Sequence, residues 1–173
     1  MAADLVRKQN EKLLETLEDG DMIEFPRGIY SHWAVYIGHG MVIHIVADPN
    51  SSSSVSGAAL FCKKAWVRED ELIKVAANSK ARKNNDKDLE GLTPLRPEQI
   101  VQRARSILDE IIDYNILWKN CEYFASWCRY GEGWSDQTID GLILAGLLAV
   151  VAYLEITKPV GDEEKEKKAV LPK

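Results

Sequence analysis

The sequence predicts an α+β fold in which an antiparallel sheet packs against helices. Two β-rich runs, His32–Ile37 and Met41–Val46, flank a Gly-His-Gly tripeptide, which is typical of a β-hairpin. Further along the chain, apolar residues recur at helical spacing after Pro97, and proline suits the first turn of a helix. The chain has 173 residues, 46% of them hydrophobic and 28% charged, which is enough to form one globular domain with its own core.

Composition, charge and cysteine count argue against several classes of protein. The formal net charge is -5, whereas dedicated nucleic-acid-binding proteins usually carry a basic surface. The three cysteines, Cys62, Cys121 and Cys128, are odd in number and form no Cys-x-x-Cys pair, so neither a disulfide framework nor a zinc knuckle is predicted. Residues 1–10 lack the apolar run of a secretory signal, so we expect a reducing, cytoplasmic environment.

The composition divides the chain into four segments. Residues 1–19 form a polar N-terminal extension in which leucines at helical spacing predict a surface helix packed on the domain. Residues 20–137 carry the strand and helix patterns of the domain itself. Residues 138–157 are strongly apolar; a core helix is one interpretation, because a bilayer span needs about 20 residues, but the many small residues are typical of membrane helices. Residues 158–173 carry five lysines and four acidic residues and are predicted to be disordered.

Local patterns predict the other elements of the domain. Leu60–Val67 and Glu71–Ala77 are interpreted as strands, with Lys and Glu at alternate positions. Residues 78–91 are predicted to be a loop, because charged and polar side chains dominate there. After Pro97, the apolar positions as far as Ile111 keep helical spacing, which predicts a helix whose apolar side packs on the sheet.

The length of the hairpin loop decides whether His32 and His44 share a face of the sheet. A three-residue loop pairs Ala34 with His44 and places both histidines on one face, about two residues or roughly 7 Å apart along the strand. A two-residue loop places them on opposite faces. His39, which lies between two glycines, is predicted to be a turn residue.

Cys121 is the best candidate for a chemical role. Asn120 is a predicted helix N-cap, and the helix then runs to Tyr130 and ends at Gly131. The backbone N–H groups and the dipole at a helix start favour a thiolate, which is the nucleophilic form of cysteine. A histidine pair could take the thiol proton, and the Cys121 N–H with a tyrosine hydroxyl could hold an oxyanion. The structural alternative is that this cysteine is simply a small buried hydrophobe.

Three separated motifs, in the same order, resemble a known family. Residues 120–124, Asn-Cys-Glu-Tyr-Phe, followed by Cys128–Gly131, resemble the Asn-Cys-Glu-His-Phe signature of the lecithin:retinol acyltransferase domain. Residues 20–25 and 30–38 resemble the start of that domain, and Val42–Ile45 contains its second histidine. The resemblance covers roughly two thirds of the chain. It is strongest with the HRAS-like suppressor branch, the phospholipase A and acyltransferase enzymes.

This resemblance implies a permuted papain-like fold of the NlpC/P60 type and a Cys-His-His site. Cys121 is the implied nucleophile, His32 the general base and acid, and His44 the residue that orients His32. The resemblance places four further residues at the site, where they support the oxyanion or line the pocket: Tyr114, Tyr30, Arg27 and Asn120.

The implied reaction is calcium-independent and uses neither metal nor cofactor. The cysteine attacks an ester of a glycerophospholipid, such as phosphatidylcholine or phosphatidylethanolamine, forms a thioester and releases a lysophospholipid. Water, an amine (giving N-acylated phosphatidylethanolamine) or a lysophospholipid then takes the acyl group. Members of the family carry a C-terminal membrane anchor, so residues 138–157 are interpreted as an anchor helix. We therefore expect a cytoplasmic protein that associates with membranes through this segment.

The chain departs from the family pattern at the signature itself and in its N-terminal extension. Tyr123 stands where the signature has a histidine, and the segment before residue 20 is longer than in short members of the family. A non-enzymatic alternative is a membrane-tethered interaction protein with vestigial catalysis. The presence of Cys121, His32 and His44 favours the enzyme, because a vestigial site has no reason to keep all three.

Overall fold

The computed structural model describes residues 2–28, 30–47, 64–113 and 120–134, all within one compact unit that spans residues 1–138. The helices are α1 (Ala2–Leu14), α2 (Leu72–Ala76), α3 (Asp86–Leu89), α4 (Pro97–Ser106) and α5 (Cys121–Tyr130). The strands are β1 (Met22–Pro26), β2 (Ser31–Tyr36), β3 (Met41–Ala47), β4 (Lys64–Glu71), β5 (Arg82–Lys83) and β6 (Ile111–Asp113).

The six strands form one sheet in the order β5-β1-β2-β3-β4-β6, and each neighbouring pair is antiparallel. Side chains alternate between the two faces of the sheet. On one face, Trp33 and Val35 pack with residues of α4 and α5. On the other face, Ala34 and Tyr36 pack with residues of α1 and α2. The prediction of an α+β fold with an antiparallel sheet packed on helices is confirmed.

A three-residue loop joins β2 to β3, and it sets the register that brings the two histidines together. Ile37 donates its N–H to the Met41 carbonyl at 3.0 Å, and Ala34 pairs with His44. All three loop residues have positive φ, including His39 at 53°, which explains why glycines flank this histidine. His32 and His44 therefore share a face, as one of the two alternative registers predicts.

Helix α1 is fixed to the domain by a buried asparagine. The Asn10 side chain donates to the Ser79 carbonyl at 3.0 Å and accepts the Ala81 N–H at 2.9 Å. Leu13 and Leu14 pack against the core on the α2 face of the sheet. The helix predicted at the N-terminus is therefore present and packs on the domain.

The segment Glu71–Ala77, predicted as a strand, is mostly helix. Helix α2 buries Leu72, Val75 and Ala76 in the core. Their spacing of three and four residues fits a helix, but so short an apolar run does not distinguish a helix from a strand by periodicity. The strand predicted from Leu60 is observed from Lys64 onward as β4; the residues before it lie outside the described part.

Two further predictions between residues 78 and 113 are wrong. The segment 78–91, predicted as a loop, contains β5 and α3. Strand β5 pairs with β1, which is far away in the sequence, so local composition does not reveal it. The helix after Pro97 ends at Ser106 rather than continuing to Ile111. Asp109 has a positive φ of 64° in the turn that follows, and Ile111 is exposed and starts β6.

A buried arginine ties the end of α5 to the segment before β1. Arg129 donates to the Gly20 carbonyl at 2.9 Å and forms a two-pronged pair with Asp88. The Tyr130 hydroxyl donates to the same Asp88 carboxylate at 2.7 Å. Two motifs of the sequence, the one at residue 20 and the one at 128–131, are thus in direct contact.

No helix within the described ranges is both long enough and apolar enough to cross a bilayer. The predicted anchor at 138–157 and the predicted disordered tail at 158–173 lie outside the described residues.

Candidate active site

Cys121 is the first residue of α5, directly after the predicted cap. The Asn120 side-chain oxygen accepts the Tyr123 N–H at 2.9 Å, so Asn120 is an N-cap as predicted. Gly131 ends the helix with a φ of 86°, in the left-handed conformation that favours glycine. Both ends of the helix that carries the cysteine are therefore determined by short local signals.

The Cys121 sulfur lies against the edge of β2 at the level of His32. The thiol donates to the Ser31 carbonyl at a sulfur–oxygen distance of 3.8 Å, and the Trp33 N–H donates to the sulfur. The backbone N–H of Ile37 points toward β3. Because backbone N–H and C=O groups alternate between the two edges of a strand, those of Ser31 and Trp33 also point toward the β3 side of β2. The register between β2 and β3 runs only as far as Ala34–His44. The sulfur thus bonds β2 just beyond the point where its pairing with β3 ends.

The resting form of Cys121 is the thiol. Burial raises the pKa of this thiol to about 11, although N–H groups of Trp33, Glu122 and Cys121 itself act to lower it. The nearby Glu122 carboxylate raises this pKa further. The helix start acts in the predicted direction, but desolvation is the larger effect. The free site therefore holds a thiol at neutral pH, and the cysteine needs a base to become a nucleophile, as expected from the sequence.

A chain of hydrogen bonds links His32, His44 and Asp70. His32 Nε2 lies 2.8 Å from His44 Nδ1, and His44 Nε2 lies 3.2 Å from Asp70 Oδ2. The imidazole planes of the two histidines meet nearly at right angles, with ring centres 5.1 Å apart. Because one nitrogen of each histidine is bonded to the next member, the chain uses both nitrogens of His44 and leaves His32 Nδ1 for another partner.

Both histidines are neutral in the resting site. Burial, the neighbouring His44 and the Arg27 guanidinium lower the pKa of His32 to about 3. Burial also lowers the pKa of His44, although Asp70 opposes the shift. The site therefore combines a neutral thiol with neutral imidazoles, which suits general-base activation at the moment of reaction.

The residues expected to line the site have different positions in the structure. Arg27 donates to the carbonyls of Ala76 and Val75 at the end of α2, and its N–H donates to the Tyr30 carbonyl at 2.8 Å. Its charge acts on both histidines, whereas the Tyr30 side chain is 43% exposed. The expected oxyanion donor Tyr114 lies outside the described residues.

Among the described residues, Cys128 and His39 take no part in this arrangement. Cys128 is fully buried in the core between α5 and the sheet, and burial raises the pKa of its thiol. His39 is an exposed turn residue, as predicted, and Cys62 lies outside the described residues. Within the described ranges, no cluster of three or more His, Cys, Asp or Glu residues fits a metal ion.

Sequence reasoning missed Asp70. The register of β4 against β3 pairs His44 with Arg68 and Val42 with Asp70, which puts Asp70 on the same face as His44 and two residues along. Sixteen residues, 48–63, separate the two strands in the sequence, so no turn signal fixes this register. An aspartate two residues from a cross-strand histidine becomes recognisable only once the pairing is known.

Comparison with known proteins places the chain in a family. A family model described as Lecithin retinol acyltransferase matches residues 15–134. Phospholipase A and acyltransferase 3 of Mus musculus is 37% identical over 134 residues, which cover 76% of this chain and 82% of the mouse protein. Phospholipase A and acyltransferase 1 of Homo sapiens is 41% identical over 119 residues (68% and 70%), and human Phospholipase A and acyltransferase 2 is 35% identical over 155 residues (85% and 94%). The chain therefore belongs to the lecithin retinol acyltransferase family, in the branch of the phospholipase A and acyltransferases.

Proposed function

We propose that this protein is a phospholipase A and acyltransferase that removes an acyl chain from a glycerophospholipid through a thioester on Cys121. Its relatives carry the names of such enzymes. The observation that carries the proposal is the position of the Cys121 sulfur, bonded to the peptide groups on either side of His32 at the start of a capped helix. The fold we infer is the permuted papain-like one, because the strands with the histidines precede the helix with the cysteine.

The first half-reaction forms the thioester. His32 Nδ1 accepts the thiol proton as the sulfur attacks the ester carbonyl carbon, so an S–C bond forms and the carbonyl electrons move to the oxygen. The Cys121 N–H at the helix start stabilises that oxyanion, and Tyr114 is the proposed second donor. The tetrahedral intermediate collapses, the ester C–O bond breaks, and the imidazolium returns the proton to the leaving lysophospholipid oxygen.

The second half-reaction returns the enzyme to its resting state. His32 takes a proton from water, from the amine of phosphatidylethanolamine or from the hydroxyl of a lysophospholipid, and that oxygen or nitrogen attacks the thioester carbonyl. The S–C bond then breaks, and His32 gives the proton back to the sulfur. The products are a fatty acid, an N-acylated lipid or a new diacyl lipid, according to the acceptor. None of these steps requires a metal or a cofactor.

The intact mass of the protein after brief incubation with a short-chain phosphatidylcholine tests this proposal. We expect one added acyl mass on the wild type and none on Cys121→Ala, because, of the two cysteines within the described residues, only Cys121 lies at a helix start with its sulfur bonded to the peptide groups on either side of His32. Cys128→Ala, which removes the buried core cysteine, is the matched control and retains the adduct.

Free fatty acid is measured in the same samples. Fatty acid from the wild type without an adduct means that hydrolysis is faster than acylation, and the proposal then holds if Cys121→Ala releases none. If the wild type forms no adduct and releases no fatty acid, the result favours the alternative, a membrane-tethered interaction protein with vestigial catalysis.

We further propose that residues 138–157 recruit the enzyme to a lipid surface, on the strength of their apolar, small-residue sequence. Truncation after Gln137 removes this segment and the tail while leaving the described residues complete. The truncated protein is expected to keep its activity on dispersed short-chain lipid and to lose most of its activity on phosphatidylcholine vesicles. Equal activity of the two forms on vesicles contradicts this role.

A further inference from the structure

We propose that Asp70 is a positioning residue that sets which nitrogen of His32 is free to accept the thiol proton. The inference rests on the proposed function, because it assigns a role within the same site. The inference concerns which atom donates the proton in each hydrogen bond of the series that links Asp70, His44 and His32.

The two oxygens of Asp70 have different partners. Oδ2 faces His44 Nε2 at 3.2 Å, whereas Oδ1 faces Lys74 Nζ at 3.2 Å and Arg68 Nη2 at 3.5 Å. The side chain is only 13% exposed, so its bond to the buried imidazole is shielded from water. These partners hold the pKa of Asp70 below its ordinary value, and the group is a carboxylate at neutral pH.

A carboxylate only accepts hydrogen bonds, and this fixes every proton in the chain. His44 must carry its proton on Nε2 to donate to Asp70, which leaves its Nδ1 bare. Bare Nδ1 is an acceptor, so His32 must donate from Nε2 across the 2.8 Å contact. A neutral imidazole has one proton, and His32 Nδ1 is then the lone pair available to the thiol.

The opposite direction disables the base. If His44 carries its proton on Nδ1, it donates to His32 Nε2, and the His32 proton moves to Nδ1. That nitrogen then has no lone pair for the Cys121 proton. Both directions satisfy the contact between the two histidines equally well, so this contact alone does not choose between them.

Asparagine at position 70 is the substitution that reverses the chain. The amide oxygen is drawn toward Lys74 and Arg68, since both cations are donors on the Oδ1 side. The amide NH2 then faces His44 Nε2, and the histidine must present a lone pair there. Asp70→Asn therefore selects the unproductive tautomer, whereas Asp70→Ala only removes the preference. This order, with the larger side chain more harmful than alanine, is not expected of a residue that merely packs.

Four variants of the full-length protein test the inference: Asp70→Asn, Asp70→Ala, Asp70→Glu and Glu69→Gln. Glu69 is the neighbouring acid of β4, and alternation directs it to the opposite face. We expect Asp70→Asn to lower the rate of Cys121 acylation by short-chain phosphatidylcholine by at least about 10²-fold with KM nearly unchanged. Asp70→Ala should lose less, Asp70→Glu should recover part of the rate, and Glu69→Gln should react like the wild type.

The side-chain nitrogen NMR signals of the resting protein provide a readout that does not depend on turnover. In the wild type, protons are expected on Nε2 of both histidines, and in Asp70→Asn on Nδ1 of both. Wild-type protons on Nδ1, or an Asp70→Asn variant that acylates at the wild-type rate, overturn the inference. A loss of activity without a change of tautomer overturns it too. Absence of any adduct or released fatty acid in the wild type counts instead against the proposed function.

Discussion

Replacement of His32 by glutamine is expected to lower the rate of Cys121 acylation by about 10³-fold and to make the protein less sensitive to mild acid. The loss of rate follows from the removal of the base that takes the thiol proton. Glutamine keeps a donor and an acceptor of similar reach, so the contact with His44 is not simply replaced by a cavity. The gain in acid tolerance follows from the lowered pKa of the partly buried His32 imidazole.

The sign of the acid effect comes from comparing the folded and unfolded chains. The pKa of His32 is about 3 in the folded protein and about 6.5 in the unfolded chain, so between these values only the unfolded chain binds the proton. The free energy of unfolding is therefore unaffected by this histidine above pH 6.5, and it decreases as the pH falls below 6.5. The expected slope for one such histidine is up to about 1.4 kcal/mol per pH unit, and His44 acts in the same direction.

Urea unfolding at several pH values between 6.5 and 5 measures this slope. The window lies above the ordinary pKa values of Glu24, Asp70 and Asp88, all of which are lowered further in the fold. His32→Gln should show a smaller slope than the wild type. His39→Asn, a change at an exposed turn position with a φ that asparagine tolerates, should keep the full slope. If His32→Gln and the wild type lose stability in parallel, the pKa of His32 is the same in the folded and unfolded chains, which contradicts a neutral His32 held by burial in the fold.

The parts of the site that the sequence could predict depend on contacts between near neighbours. The Asn120 cap, the Gly131 stop and the presence of a hairpin each involve residues within a few positions, and each restricts the backbone locally. The sequence leaves open whether the hairpin loop has two residues or three. A loop of three residues pairs Ala34 with His44, and because side chains alternate along a strand, His32 and His44 then lie on the same face of the sheet.

The parts that could not be predicted depend on contacts between distant segments. Asp70 reaches His44 only through the β3–β4 register. The size of the shift at Cys121 could not be predicted either, because the helix start is visible in the sequence whereas the depth of burial, which outweighs it, is a property of the assembled core. The helix at Leu72–Ala76 was mistaken for a strand for a related reason, since the core that its apolar side meets is built by α1 and the far side of the sheet.

Replacement of Arg129 by methionine is expected to reduce the free energy of unfolding by about 3–5 kcal/mol, the range typical of a buried ion pair that loses one partner. Arg129 is only 8% exposed and satisfies the Gly20 carbonyl and the Asp88 carboxylate. Asp21, also buried, lies 3.9 Å from the guanidinium. Methionine can fill the space but leaves these acceptors without their donor. Lysine preserves the charge without the two-pronged geometry, so Arg129→Lys should fall between methionine and the wild type.

Urea unfolding followed by tryptophan fluorescence measures the effect, with Arg105→Met as the matched control. Arg105 is half exposed and 4.0 Å from Glu69, so its loss should cost at most about 1 kcal/mol. Equal destabilisation by both substitutions contradicts the anchoring role of Arg129. The fraction of Arg129→Met that remains folded should still form the acyl adduct, because no atom of Arg129 contacts the sulfur or the histidine chain in the described contacts. The motif at 128–131 then acts by holding the end of α5 to Gly20 and α3, so that the cysteine at the other end of the helix meets the edge of β2.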